Sequence, residues 1–272
     1  MPELVVYKSI IVVSLLLGLF VAERYFPSAV VPKAIASKNR MLRNISLWLC
    51  NSLVSPFIVL PITFIAVGWG INWRSGLLAE GWGGLLLDVL ILDLWIYWWH
   101  RANHRISLLW RFHQVHHLDE WLDVTSAVRF HFGEVVLSAL VRSLVIVCLG
   151  MPLLSVIIFE AVVLTNAGFH HSNVRLPVRL ERILSRVIIT PAIHWVHHHA
   201  IQQDTDSNYG TIFSFWDRMF GSSSKHHRQA DMKIGIEHRR DEGENTPVYD
   251  YMSVKETVIN RKGWLSGVTL GL

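Results

Sequence analysis

The 272-residue chain is 51% apolar with a mean hydropathy of +0.35, above the roughly 45–50% apolar share of soluble domains, which excludes an ordinary water-soluble globule. A net charge of +4 and a pI near 9.2 would suit a nucleic-acid binder. The basic residues instead fall between apolar runs, where they orient a membrane protein, so no nucleic-acid partner is expected. Cys50 and Cys148 both lie inside apolar runs, so they say nothing about a disulfide framework and fit a reducing compartment only by default.

Five candidate spans follow in chain order. The first, roughly Leu4 to Val21, lacks a basic leader and a small-residue cleavage site, and reads as an anchor. The second lies within Ile45 to Trp69, with Pro56 and Pro61 expected to kink it. The third runs from about Trp82 to Trp99 and continues into His100. The fourth, about Val135 to Leu149, is short for the roughly 20 residues of a full crossing, so it either crosses, re-enters or sits shallowly. A turn at Gly150-Met151-Pro152 leads to the fifth, about Leu153 to Phe169. The expected fold is all-α: a polytopic bundle of four to five spans with a helical, histidine-rich cap. Residues 1–80 form anchor helices, 81–221 the histidine-bearing domain and 222–272 a polar tail.

Counting Lys and Arg sets the orientation. Arg24, Lys33, Lys38, Arg40 and Arg43 lie between spans one and two, and only Arg74 between spans two and three. Arg101, Arg105, Arg111 and Arg129 follow span three, the Gly150 turn has none, and thirteen follow span five. The basic segments share one side, which the positive-inside rule makes cytoplasmic. The tail and the histidine clusters fall on that side too.

Twelve of the fifteen histidines lie between His100 and His199. His100 and His104, then His113, His116 and His117, then His194, His197 and His198 recur at steps of three or four, which place side chains on one helix face. Neutral imidazole is the commonest metal ligand. A single such pair carries little weight, but the repeated His-x-x-His-His does not resemble a core pattern. These eight are read as ligands, and one of His170 and His171, ending span five on the same side, as the ninth. His131 is a further candidate. His199, His226, His227 and His238 read as solvated. Nitrogen donors without cysteine suit iron, copper, nickel or zinc, and nine rings shared by two ions give four or five each. The middle box, His-Gln-Val-His-His, lacks the glutamate of a zinc protease.

Two charges inside the spans have expected partners. Asp93, two turns below His100 on the same face, is costly in hydrocarbon and should bond a ligand histidine or a polar neighbour from the second shell. Arg142 and Glu160 lie nine residues either side of Met151, at one depth of a hairpin, and should form a structural ion pair. Trp95, Tyr97, Trp98 and Trp99 read as interfacial belt anchors.

The boxes His100-Arg-Ala-Asn-His104, His113-Gln-Val-His116-His117, His171-Ser-Asn-Val-Arg-Leu-Pro and Thr190-Pro-Ala-Ile-His194-Trp-Val-His197-His198, with Asp206-Ser-Asn-Tyr-Gly210 and Trp216-Asp-Arg-Met-Phe-Gly221, resemble the fatty acid hydroxylase/sterol desaturase superfamily over about Leu85 to Gly221. The resemblance implies an oxidoreductase whose two iron ions (zinc as a substitute occupant on isolation), with O2 as co-substrate, hydroxylate or desaturate a C–H bond of a membrane-dissolved fatty acyl, sterol or related lipid. It favours His171 over His170, because the family often has Gln before that histidine. No haem, flavin or nicotinamide fingerprint is present, so an external reductase or small electron carrier is expected. A metal-ion transporter and a bis-histidine haem electron carrier are the alternatives. Metal content and an optical spectrum separate them.

Overall fold

The computed structural model describes residues 2–32, 38–71, 73 and 81–237. Lys33, Arg74, His238 and the rest of the expected tail to residue 272 lie outside the described residues. α1 (Pro2–Tyr25), α4 (Gly81–Arg105), α6 (Phe132–Leu149) and α7 (Leu153–His171) are long and apolar enough to cross a membrane. α2 (Lys38–Val54) and α3 (Val59–Gly68) meet at 44° and would together make a fifth span. The break holds Pro56. Pro61 instead lies in the first turn of α3, where its missing N–H costs the helix little.

α1 shows why the bundle needs lipid. Val6, Ile10 and Leu17 are each more than half exposed, and such a surface has no partner in water. The inner faces of α3, α4, α6 and α7 meet around Leu92, Ile146, Met151, Val156 and Phe159. Gly150 closes the α6–α7 turn in the left-handed region at φ 57°, and a Cβ there would collide with the Ile71 carbonyl oxygen. The hairpin pairs as expected: the Arg142 guanidinium donates to Glu160 Oε1 at 2.8 Å. Lys8 of α1 also reaches Glu160, at Oε2 and 2.7 Å, which the sequence reading missed.

Shorter elements build the cap. α5 (Ser107–His117) leaves α4 after an extended Ile106. A 3-10 turn (Val124–Val128) precedes α6, and α8 (Val178–Leu184), α9 (Pro191–His197), α10 (Gln202–Thr205) and α11 (Phe215–Met219) follow α7. Among the described residues, extended chain forms only isolated bridges such as Ile188 with Phe213. Arg40, counted above among loop charges, is buried: it donates to Asp119 (2.5 and 2.9 Å), Asp123 (2.7 Å) and the Trp121 carbonyl (2.9 Å). Burial would raise the Asp119 pKa, but Arg40 and Arg129 outweigh it and hold the carboxyl down at about 2. This clasp ties α2 to the loop after α5. Residues 222–237, expected to begin a polar tail, pack back on the cap through buried Ile234 and Ile236.

Candidate metal centre

Four helix ends bring the histidines together. α4 supplies His100 and His104 one turn apart, and α5 supplies His113, His116 and His117. α7 ends on His170 and His171. α9, opened by Pro191 at its first position, supplies His194 and His197, and His198 caps it. The nine expected ligands fall into two groups. His100, His104, His113, His117 and His197 form one, and His116, His171, His194 and His198 the other. Within each group the donor atoms lie within 4.8 Å of one another, all buried.

The rings are aimed by their outer nitrogens. Nδ1–H of His100 donates to the Tyr209 carbonyl (2.9 Å), that of His197 to the Ser207 carbonyl (2.6 Å) and that of His113 to Glu134 Oε1 (2.8 Å). The Nε2 atoms of these three rings are buried with no hydrogen-bond partner among the described residues. In the second group, Nδ1–H of His116 donates to the Arg129 carbonyl (3.2 Å) and that of His171 to the Ala167 carbonyl (2.8 Å). A carbonyl oxygen only accepts, so each of these neutral rings carries its proton on Nδ1 and presents a bare lone pair at Nε2. Yet His116 and His171 set their Nε2 atoms 3.0 Å apart, and His194 brings its Nε2 to the same distance from that of His171. Two facing lone pairs repel. Donors held at about 2.0–2.1 Å around a shared cation stand about 3 Å apart, so the donor set fits an ion.

Protonation does not relieve the crowding. Burial, reinforced by neighbouring imidazoles, holds His116, His117, His194 and His198 well below the ordinary imidazole range. His197 is pushed down by burial to about 3, although its bond to Ser207 works the other way. These five rings are neutral at physiological pH, the state in which imidazole ligates.

Of its two expected kinds of partner, Asp93 bonds polar neighbours rather than a ligand histidine. Its oxygens accept from the Ile212 and Phe213 backbone N–H groups (3.0 Å each) and from Trp216 Nε1 (2.8 Å). Asp217 takes the Tyr209 and Gly210 N–H groups at 2.7 and 2.9 Å. Two buried carboxylates thus fix the loop whose Tyr209 carbonyl orients His100. A Cβ at Gly210 would meet Asp217 Oδ2 and the Phe213 carbonyl oxygen at 2.9 Å, which explains a glycine there. A carboxylate that does bond a ligand ring is Glu134, which sequence reasoning missed. It also accepts from Asn103 at 3.1 Å.

The other histidines separate from the two groups. His170 packs its ring 4.0 Å from that of His194, with Asn166 beside its Nδ1. His131 caps α6, its Nδ1 accepting from the Gly133 N–H at 2.9 Å. His199, expected to be solvated, is part-buried and bonds Asp204 at 2.7 Å. His226, with its side chain 55% exposed, bonds the same carboxylate, and His227 is exposed.

A cavity of about 350 Å³ opens onto both groups, touching His100 and His113 of the first and His116, His171 and His194 of the second. The aromatic residues of α4 correct the belt reading. Trp95 and Trp99 line this cavity and Tyr97 is fully buried, its hydroxyl 2.7 Å from that of Ser222. Trp98 is exposed. α4 therefore turns one face (Asp93, Tyr97, His100, His104) to the 209–222 loop and another (Trp95, Trp99, Asn103) to the cavity.

Comparison with known proteins agrees with this geometry. The chain is 30% identical over 153 residues to ornithine lipid hydroxylase of Rhizobium tropici, covering 56% of this chain and 45% of that protein. It is 33% identical over 136 residues to alkylglycerol monooxygenase of Danio rerio (50% and 29%) and 30% identical over 154 residues to lathosterol oxidase of Rattus norvegicus (54% and 48%). The chain thus spans less than half the length of these relatives. No solved structure matches it. The model of the fatty acid hydroxylase family matches residues 85–222, from α4 to just past α11 and across every histidine of both groups, and the chain belongs to that family.

Proposed function

We propose that this chain is a membrane oxidoreductase that hydroxylates or desaturates a C–H bond of a lipid taken from the bilayer. The observation that carries the reading is the opposition of the bare Nε2 lone pairs of His116 and His171, 3.0 Å apart in a buried site, beside a second group with buried, unpartnered Nε2 atoms. When bound, two iron ions would supply O2 activation and the oxidising power for an unactivated C–H bond. His100, His104, His113, His117 and His197 would hold one and His116, His171, His194 and His198 the other.

The chain's own residues do the rest. The Tyr209, Ser207 and Arg129 carbonyls and Glu134 lock the tautomer and direction of His100, His197, His116 and His113. Trp95, Trp99, Val163 and Ala139 give the cavity apolar walls that receive a hydrocarbon and exclude water. Electrons come from an external reductase or small carrier, and the metal centre faces the cytoplasm with the basic segments. Lipid hydroxylation, ether-lipid oxygenation and sterol oxidation, the activities that name the relatives, each act on an amphipathic lipid.

Purified protein should contain two iron ions per chain and show no Soret band. Its expression should produce a lipid mass gain of one oxygen or loss of two hydrogens. His116→Ala and His197→Ala should each abolish the mass change while the protein stays in the membrane. Turnover in either variant, a haem spectrum, or metal flux in liposomes without lipid oxidation would overturn the reading.

A further inference from the structure

The cavity does not end in hydrocarbon. Its end away from the histidines is lined by Lys8, Arg142 and Glu160, from α1, α6 and α7. Glu160 gives one oxygen to each cation, at 2.7 Å to Lys8 Nζ and 2.8 Å to the Arg142 guanidinium. The side chains are only 12–17% exposed. Two cations therefore share one carboxylate, leaving one positive charge at the wall of a cavity inside the bundle. Arg142 Nε is buried with no hydrogen-bond partner among the described residues, and Lys8 has donors beyond the one Glu160 accepts. Glu134, the other carboxylate on the wall, lies at the far end, about two turns of α6 before Arg142, where its Oε1 accepts from His113 and Asn103.

We infer that this end of the cavity binds the anionic group of the lipid, a carboxylate or a phosphate, between Lys8 and Arg142. Packing alone would be served by a one-to-one pair, and a surplus cation in a low-dielectric wall calls for an anion. The inference rests on the proposed lipid oxidation and names its substrate class: an anionic amphipath with a single acyl chain lying along the cavity. Glu160 precedes His171 by eleven residues of α7 and Arg142 follows Glu134 by eight of α6, roughly 16 Å and 12 Å at helical rise. The anion is thus held far from the histidines, and the carbon presented to them lies well along the chain rather than next to the polar group.

Binding of labelled palmitate, cetyl phosphate and cetyl alcohol to the full-length, metal-containing protein in phosphatidylcholine nanodiscs tests this. At least one anion should bind about tenfold more tightly than the alcohol, and the ranking of palmitate against cetyl phosphate tells carboxylate from phosphate. Arg142→Gln and Lys8→Gln each leave Glu160 one cation, and should remove most of that preference without changing alcohol binding. Glu160→Gln removes the competing carboxylate and should tighten anion binding, a gain that a misfolded chain cannot produce. Equal affinity for all three probes, or an unchanged preference in Arg142→Gln, overturns the inference. An intact anion preference in a protein that oxidises no lipid would overturn the proposed function alone.

Discussion

Glu134 shows how one side chain would set the quality of His113 as a metal ligand. A carboxylate behind an imidazole fixes its tautomer and raises its basicity, and loss of such a partner costs about 10–100-fold in metal affinity. Glu134→Gln keeps the shape but offers His113 a weaker acceptor, so about tenfold weaker iron binding is expected in chelator competition. Unchanged affinity would mean that His113 is held by packing alone. Little in the sequence marks Glu134 out, because it sits at the start of an apolar run, 21 residues from the ring it touches. His113 itself was legible, since the repeated His-x-x-His-His pattern has no role in an apolar core. His199 continues that pattern on paper, but α9 ends at His197 and the chain turns His199 onto Asp204.

Among the elements, α2 bears on the centre only through contacts its own sequence does not announce. Arg40 reads as an orienting charge, yet it joins Asp119, Asp123 and the Trp121 carbonyl two residues and more beyond His117. Arg40→Ala would take from fully buried Asp119 the guanidinium that bonds both its oxygens, leaving it to Asn44 and Ser126. Removing one partner of a buried pair costs about 3–5 kcal/mol, expected as a large drop in thermal midpoint in detergent. The α6–α7 hairpin was far more legible. Its turn chemistry is local, so equal spacing from Met151 was enough to pair Arg142 with Glu160. Lys8 could not be found this way, because which face of α1 meets α7 is a tertiary matter. The same limit applies to α4: periodicity shows that Trp95 and Trp99 share a face with Asn103, but only the packed neighbours show that this face lines a cavity.

For the whole molecule, dividing nine rings between two ions gave four or five each, but which rings group together was not legible, because His116 parts from His113 and His117, and His197 from His194 and His198. The side of the membrane on which they lie is a separate matter of topogenesis. Lys225 is exposed next to the cap. Lys225→Cys, with Cys50 and Cys148 replaced by Ser, should react with an impermeant maleimide only after the cells are permeabilised; labelling of intact cells would place the centre outside. The opposed lone pairs have a further consequence. A site whose inward nitrogens repel until a cation arrives makes the ions part of what keeps the helix ends assembled. Supply of the element would then govern how long the polypeptide survives as well as how fast it turns over. Cells starved of iron should lose the protein to proteolysis faster than cells given iron, at equal messenger levels, as a pulse-chase would show.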